Sequence, residues 1–335
     1  YAEVVATSPG RVIPPWGRSG DDVVMIYTGG TTGMPKGVMW RQDDLIGVTC
    51  ATGNALLAAD PADVGGVDAF IDSIAAPGSA GLPACPLMHG TGWFTANMFL
   101  TQAGSVVTLV DRSLDWTEVL DTIERERIGA LTIVGDAFGK PMVKALDARP
   151  GHWDLSSLML VASSGVMWSE PVKEALLAHN PGMFLVDTFS SSEAIGMGSS
   201  ISAGENAEKT AHFALGPGCQ VFGDDGTPIE AGSGERGRVA VPGRVPIAYY
   251  KDPEKSAATF IEFEGVRYSM PGDYATVDAD GTISLLGRGS VCINTGGEKV
   301  FPEEVEEALK TDPSVADAVV VGLPDDKFGE AITAV

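Results

Sequence analysis

Between about residue 21 and residue 200, short apolar runs alternate with stretches of helical period. VVMIY (23–27), SVVTLV (105–110), ALTIV (130–134), LMLVAS (158–163) and MFLVDTF (183–189) are rich in β-branched residues and read as buried strands. In DWTEVLDTIERERIG the apolar residues Trp116, Val119, Leu120 and Ile123 recur at i, i+3, i+4 and i+7, which is one helix face. Asp115 is its candidate cap, Glu118 completes a capping box, and Gly129 follows its end. SEPVKEALLAHNPG predicts a second helix, capped by Ser169 and stopped at Asn180-Pro181. Strand–helix–strand alternation predicts an α/β fold with a mostly parallel sheet.

After about residue 212 the texture changes. GDDGTPI (223–229) and DADGTIS (278–284) place Asp-Gly turns between apolar strands, and ERGRVAVPG reads as another strand. These predict an antiparallel β subdomain over 212–287. It changes again after Arg288. VFPEEVEEALK predicts a compact helix, with Pro302 in the first turn, Glu303 and Glu304 at the positive end and Lys310 at the other. ADAVVVGLPD and AITAV predict strands. The expected organisation is residues 1–287 as part of a large domain and 288–335 as the hinge and start of a small α+β domain, with the boundary near Gly287–Ser290. The first twenty residues read as loop, and the chain is expected to be an excerpt of a longer protein.

Composition narrows the chemistry. With 335 residues and 44% hydrophobic side chains, the chain can bury a sizeable core. A net charge of −23 repels phosphate backbones and argues against nucleic-acid binding. Any site for a polyanionic nucleotide must then supply local compensation from backbone N–H groups, a metal, or placed Lys and Arg. Cys50, Cys85, Cys219 and Cys292 form no CxxC pair and read as reduced cysteines of a cytoplasmic protein. No apolar run reaches the ~18 residues of a membrane span, and no signal peptide is visible.

One stretch concentrates the candidate chemistry. YTGGTTGMPKG (27–37) is rich in glycine and threonine and carries a single lysine. Glycines and hydroxyls after a strand suit phosphate binding, because N–H groups without Cβ obstruction can close on phosphate oxygens. Pro35 before Lys36 and Gly37 after it break the Walker A pattern, and no G-x-G-x-x-G is present. Taken alone, the stretch is equally a glycine-rich surface loop.

It is not alone. YTGGTTGMPKG resembles the phosphate-binding signature of the adenylate-forming superfamily, which spans acyl-CoA synthetases, aryl-CoA ligases, luciferases and peptide-synthetase adenylation domains. PLMHGTGWF (86–94), VDTFSSSEAIG (186–196), YSMPGDYATVDADG (268–281) and GRGSVCINTGGEKVFPEEVEEAL (287–309) follow in that family's order. The resemblance covers the chain from about residue 21. It implies that Thr28, Gly29, Gly30, Thr31 and Thr32 bind phosphate and that Lys36 acts on the departing pyrophosphate. His89 falls in the segment beside the acyl site. Phe189 takes the place that stacks on adenine, Ser192 that of a phosphate-contacting Thr, and Glu193 that of the carboxylate on Mg2+. Ser164 and Gly165 stand at the adenine-side turn, as a looser match. Asp273 matches the ribose-binding carboxylate, and Arg288 the arginine that reaches ribose or phosphate. Gly296, Gly297 and Glu298 correspond to the loop facing CoA. Ser190 replaces the family's Gly, and Ser290 stands at the hinge where relatives carry Asp or Lys.

The implied reaction activates a carboxylic acid with ATP and Mg2+ to an acyl-adenylate and then forms a thioester with CoA. Lys36, Glu193, Ser192 and His89 are its catalytic candidates. The resemblance is nearest to actinobacterial ligases of fatty or sterol-side-chain acids. Gly90, Gly92, Gly135, Gly165, Gly196 and Gly198 are expected to wall a roomy pocket for a long or bulky acid. The implied partners are the acid and CoA, without nucleic acid or a transmembrane segment, and with a homodimer allowed. The family's second lysine falls beyond Val335, so these 335 residues are expected not to adenylate at a normal rate. A fatty-acyl-AMP ligase serving a carrier protein, an amino-acid adenylation domain and a non-catalytic binding module are the alternatives.

Overall fold

The computed structural model describes residues 19–30, 33–57, 76–111, 113–289, 292–295, 298–312, 314–325 and 329–335, with residues 7, 15, 17 and 72. The first strands, β1 (Val23–Gly30) and β2 (Gly33–Arg41), pair antiparallel and are followed by α1 (Gln42–Leu57). Then come β3 (Ala80–Pro83), α2 (Gly90–Thr101), β4 (Ser105–Val106), α3 (Trp116–Glu126), β5 (Ala130–Ile133), α4 (Gly135–Ala148), β6 (Leu160–Ser164), α5 (Glu170–His179) and β7 (Phe184–Phe189). β4-β3-β5-β6-β7 form a parallel sheet, as the strand–helix alternation requires.

Beyond β7 the same sheet continues antiparallel. It runs through β8 (Gly198–Ala203) and β9 (His212–Leu215) to strands from later in the chain. These include β10 (Gln220–Phe222), β11 (Arg236–Pro242), β13 (Phe260–Phe263), β14 (Val266–Ser269), β15 (Asp273–Val277) and β16 (Thr282–Arg288). The short β12 (Ala248–Tyr249) leaves that sheet and pairs with β2, and α6 (Pro253–Thr259) follows it. A separate antiparallel sheet holds β17 (Ile293–Thr295), β18 (Glu298–Val300), β19 (Val320–Asp325) and β20 (Gly329–Ala334), with α7 (Pro302–Lys310) between its strands in sequence. The fold is the expected α/β architecture with an antiparallel portion and a terminal α+β unit.

Two cores match the two textures. Leu82, Leu131, Ile133, Val161 and Leu185 from the parallel strands meet Val119, Leu120 and Ile123 of α3 and Leu176 of α5. Each such buried side chain contributes about 1.5–3 kcal/mol relative to exposure. Phe213, Val239, Ala275 and Ile283 form the second core, within the antiparallel region. The DADGTIS turn is a hairpin: Gly281 adopts φ +86°, and Asp278 N–H donates to Thr282 O at 2.8 Å. In GDDGTPI the turn forms, but past it only Pro228 bridges back to Phe222 instead of starting a full strand.

Four expectations change. VVMIY is not a buried strand of the parallel sheet. It lies in the β1–β2 hairpin with Val23, Met25 and Tyr27 exposed and Ile26 buried, because the segment that follows folds straight back on it. In SVVTLV only Ser105 and Val106 pair, at a sheet edge, and Val110 is 92% exposed. Asp115 caps α3 through Thr117 N–H, but the capping box does not close: Glu118 Oε1 accepts from Val110 N instead. Ser169 sits at the start of α5, yet its hydroxyl donates to Asp136 Oδ2 at 2.8 Å rather than capping.

Candidate active site

The lysine-bearing stretch is a hairpin, not a loop hanging from a strand. Thr28, Gly29 and Gly30 belong to β1, and Gly33 through Gly37 to β2, with Thr28 opposite Lys36. Thr31 and Thr32 lie outside the described residues. Gly37 is closely packed: a Cβ there would sit 2.8 Å from Met25 Sδ and 3.3 Å from Tyr250 Cβ, so the Met25 side chain would have to move aside. β2 then reaches two partners far along the chain. Fully buried Trp40 donates through Nε1 to Ser192 O at 2.9 Å. Val38 pairs with Tyr249 of β12, and Tyr250 N–H donates to Gly37 O at 2.7 Å.

Tyr249 is buried, and its hydroxyl donates to Glu193 Oε1 at 2.8 Å. Lys36 Nζ lies 5.4 Å from the centroid of the same ring, within cation–π range. Burial, followed by the charge of Glu193, pushes the Tyr249 phenol well above its ordinary range, so it is a donor here.

The carboxyl ends of the parallel strands supply the floor, the place where open α/β sheets bind ligands. His89 caps α2, with Nδ1 accepting from Thr91 N–H at 3.3 Å. Gly165 follows β6 at φ +102°. A Cβ built on it would lie 3.7 Å from Thr91 Oγ1 and 3.9 Å from His89 Cε1. A Cβ on Gly90 would lie 3.2 Å from Ser192 Oγ. His89, Gly165 and Ser192, apart in sequence, therefore converge. Ser164 is buried at the end of β6. Phe189, at the end of β7, is 8% exposed and packs against Phe213 at 5.7 Å between centroids, so Phe213 occupies part of its ring surface.

The β15–β16 register sets Asp273 opposite Arg288, and Arg288 Nε donates to Asp273 Oδ1 at 3.1 Å. Asp273 Oδ2 is buried and has no partner among the described residues. Burial raises the Asp273 carboxyl above the usual range while Arg288 opposes the shift. The charge of Glu193 reaches both Asp273 and Arg288. Lys36, Tyr249, Glu193, Arg288 and Asp273 thus form one electrostatic neighbourhood. Glu298 is exposed on β18, while Gly296, Gly297 and Ser290, the residue expected at a hinge, lie outside the described residues.

With that geometry established, the sequence profile of AMP-binding enzymes matches residues 3–245. The chain belongs to the AMP-binding enzyme family. It is 42% identical over 95% of its length to a 3-oxocholest-4-en-26-oate–CoA ligase of Rhodococcus rhodochrous, covering 58% of that protein. It is 41% identical over its whole length to a medium/long-chain-fatty-acid–CoA/3-oxocholest-4-en-26-oate–CoA ligase of Mycobacterium tuberculosis, covering 60% of it. The chain therefore spans about three-fifths of these curated relatives. ATP-bound MatB from Rhodopseudomonas palustris shares the fold, with a TM-score of 0.74 at 23% identity over 95% of this chain and 58% of that one. Among the described residues, no helix is long and apolar enough to cross a membrane.

The candidate site has features that fit a nucleotide and a hard cation. The orphaned Asp273 Oδ2 is an acceptor awaiting a hydroxyl donor. Glu193 uses one oxygen on Tyr249, leaving the other for a metal. Among the described residues, no group of three or more metal-ligating side chains gathers. A single carboxylate is how a site offers Mg2+ a place shared with substrate phosphates.

Two structural residues escaped the sequence. Tyr249 and Trp40 carry no motif signal of their own, and their partners lie 56 and 152 residues away. The six glycines also need correction. A Cβ on Gly135 would collide with Met167 O, one on Gly92 would fall 2.6 Å from Pro86 O, and one on Gly198 would fall 3.0 Å from Ala214 O. These three are small because backbone packs against them, not because they leave room for substrate. Gly196 alone of the six faces open space, and the nearest neighbour to a Cβ on Gly165 is 3.6 Å away.

Proposed function

We propose that this protein activates a carboxylic acid with ATP and passes the acyl group to CoA, the acid being a long-chain fatty or sterol-side-chain acid. The observation that carries the reading is the convergence of the hairpin lysine, Glu193 and the Asp273–Arg288 pair at the carboxyl end of the parallel strands. Four separate stretches of an acidic chain meet to offer two cations, a metal carboxylate and an unpartnered acceptor. The activities for which the 41–42% identical relatives are named support CoA as acceptor and this class of acid. The six glycines give no support for a bulky acid, because Gly92, Gly135 and Gly198 are packed against backbone.

In this reading Thr28 and the hairpin N–H groups bind phosphate, and Lys36 places a point charge on the leaving pyrophosphate. Glu193 would hold Mg2+, which supplies charge neutralisation on the phosphates. Asp273 accepts from ribose hydroxyls, and Arg288 keeps its carboxylate oriented through the 3.1 Å bond. His89 and Gly165 border the space for the acyl carboxylate. Catalysis rests on positioning and charge, without a protein nucleophile. ATP and CoA as substrates fit a cytoplasmic protein.

The test is ATP–pyrophosphate exchange by the intact protein at the length of its relatives, not by these 335 residues alone, over fatty, sterol-side-chain, aryl and amino acids, followed by transfer to CoA or to an acyl carrier protein. Exchange with long-chain or sterol acids and thioester on CoA is expected. Exchange confined to amino acids, or transfer to the carrier alone, would overturn the reading.

A further inference from the structure

The strongest unassigned feature is the position of Tyr249 between two oppositely charged groups. Lys36 and Glu193 belong to different elements, and both approach the same phenol. The ammonium lies over the ring at 5.4 Å, and the carboxylate takes the hydroxyl at 2.8 Å. Among the described residues no carboxylate pairs with Lys36 within ion-pair distance.

We propose that Tyr249 is a positioning residue that keeps Lys36 and Glu193 from collapsing into an ion pair. Once paired, each would consume the capacity that the proposed reaction needs. Lys36 would lose donors for phosphate, and Glu193 would lose oxygen for a cation. A cation–π contact leaves all three ammonium N–H groups able to donate. A single neutral hydrogen bond from the phenol leaves Glu193 its negative charge and its second oxygen.

The ring is held in place for this role. Its residue pairs with Val38 in β2, and its N–H donates to Ser256 Oγ at 2.9 Å. The ring packs against Phe260 at 5.5 Å between centroids. The following residue, Tyr250, donates its N–H to Gly37 O beside Lys36. The strand that carries the lysine therefore pairs directly with the strand that carries the spacer, which fixes one against the other. Trp40, on the same strand, ties the hairpin to Ser192 O, one residue before Glu193.

The functional consequence rests on the nucleotide reading, whereas the spacer geometry does not. The first arm therefore uses no nucleotide. A carbodiimide forms a zero-length amide only between an amine and a carboxylate already in contact. Mass spectrometry of Tyr249→Leu is expected to show the Lys36–Glu193 cross-link at no less than about ten times the wild-type yield. Tyr249→Phe, which retains the ring, is expected to stay near the wild-type yield. Equal yields in all three proteins, or a strong cross-link in the wild type, overturn the spacer role. The wild-type thermal unfolding profile is the check that each variant folds. Tyr249→Phe also keeps the test alive if the leucine variant does not fold, through the second arm.

That arm titrates Mg2+ in calorimetric ATP binding. Tyr249→Phe removes the anchor of Glu193, so its Mg2+ midpoint is expected to rise about tenfold. An unchanged midpoint overturns the anchoring role. A wild type that binds no ATP·Mg2+ but shows the cross-link pattern sinks the nucleotide reading and leaves the spacer standing.

Discussion

Lys173→Met tests the energetics beneath the site. Lys173 on α5 is fully buried. Its Nζ lies 3.8 Å from Asp187 Oδ2 on β7 and donates to Glu208 O at 3.0 Å. Asp187 is 5% exposed, and burial pushes its carboxyl up to about 7 against the opposing charge of Lys173. Burial lowers the lysine in turn. Removing one member of a buried pair typically costs about 3–5 kcal/mol, because the other charge is left uncompensated. Asp187 can escape that cost by binding a proton. Its folded value lies above the unfolded one, so its favourable contribution is complete below about pH 4 and is lost as pH rises through 7. At pH 6 the carboxyl is already largely neutral in the parent, and the mutation should cost only about 1–2 kcal/mol. Above pH 7 the parent pairs an ionised Asp187, whereas the variant must keep it protonated. The cost should then grow by up to about 1.4 kcal/mol per pH unit, to about 3 kcal/mol at pH 8. Equilibrium urea unfolding at pH 6, 7 and 8, followed by tryptophan fluorescence, measures this. A cost that does not change with pH would refute the reasoning. So would a Lys173→Met/Asp187→Leu double variant that is no more stable than the single one.

Asp273→Asn should weaken ATP binding by about tenfold or more in calorimetry, since hydrogen bonds to a charged acceptor contribute about 1.5–3 kcal/mol. Gly135→Ala places a Cβ against Met167 O at φ +49° and should lower stability by about 2 kcal/mol or more, read from Tm. It should leave acid chain-length preference where it was, and a change in preference without a stability loss would restore the pocket-wall role. Glu303→Gln should raise stability by about 1 kcal/mol in urea unfolding. Its Oε2 is buried without a partner among the described residues, and burial, with the charges of Glu306 and then Asp273, raises its carboxyl.

Much of the fold was legible because it is local. The α3 face, the runs that became β5, β6 and β7, the Asp-Gly hairpin at 278–281 and the first turn of α7 each follow from spacing within about a dozen residues. Failures cluster where a local signal had a non-local competitor. Ser169 left its cap for Asp136, 33 residues away, because a tertiary partner outcompeted the helix end, whereas Glu118 left its capping box for Val110, only eight residues away. VVMIY was misplaced because a short apolar run does not say which strand it will pair with.

The site divides the same way. The resemblance of ordered motifs to one family named Lys36, Glu193, Asp273 and Arg288 as candidates, and each residue type suits the phosphate, metal or ribose chemistry expected of it. Which of these residues touch was a matter for the tertiary structure alone. β12, two residues long, pairs with β2, and that pairing carries Tyr249 between a lysine more than two hundred residues earlier and a glutamate 56 residues earlier. The glycines show the converse. Sequence reports that a side chain is missing at Gly135 or Gly196, but only packing decides whether the space is filled by Met167 O or left open. Composition and period depend on neighbours in the chain. Contacts, and the charges that contacts shift, depend on neighbours in space.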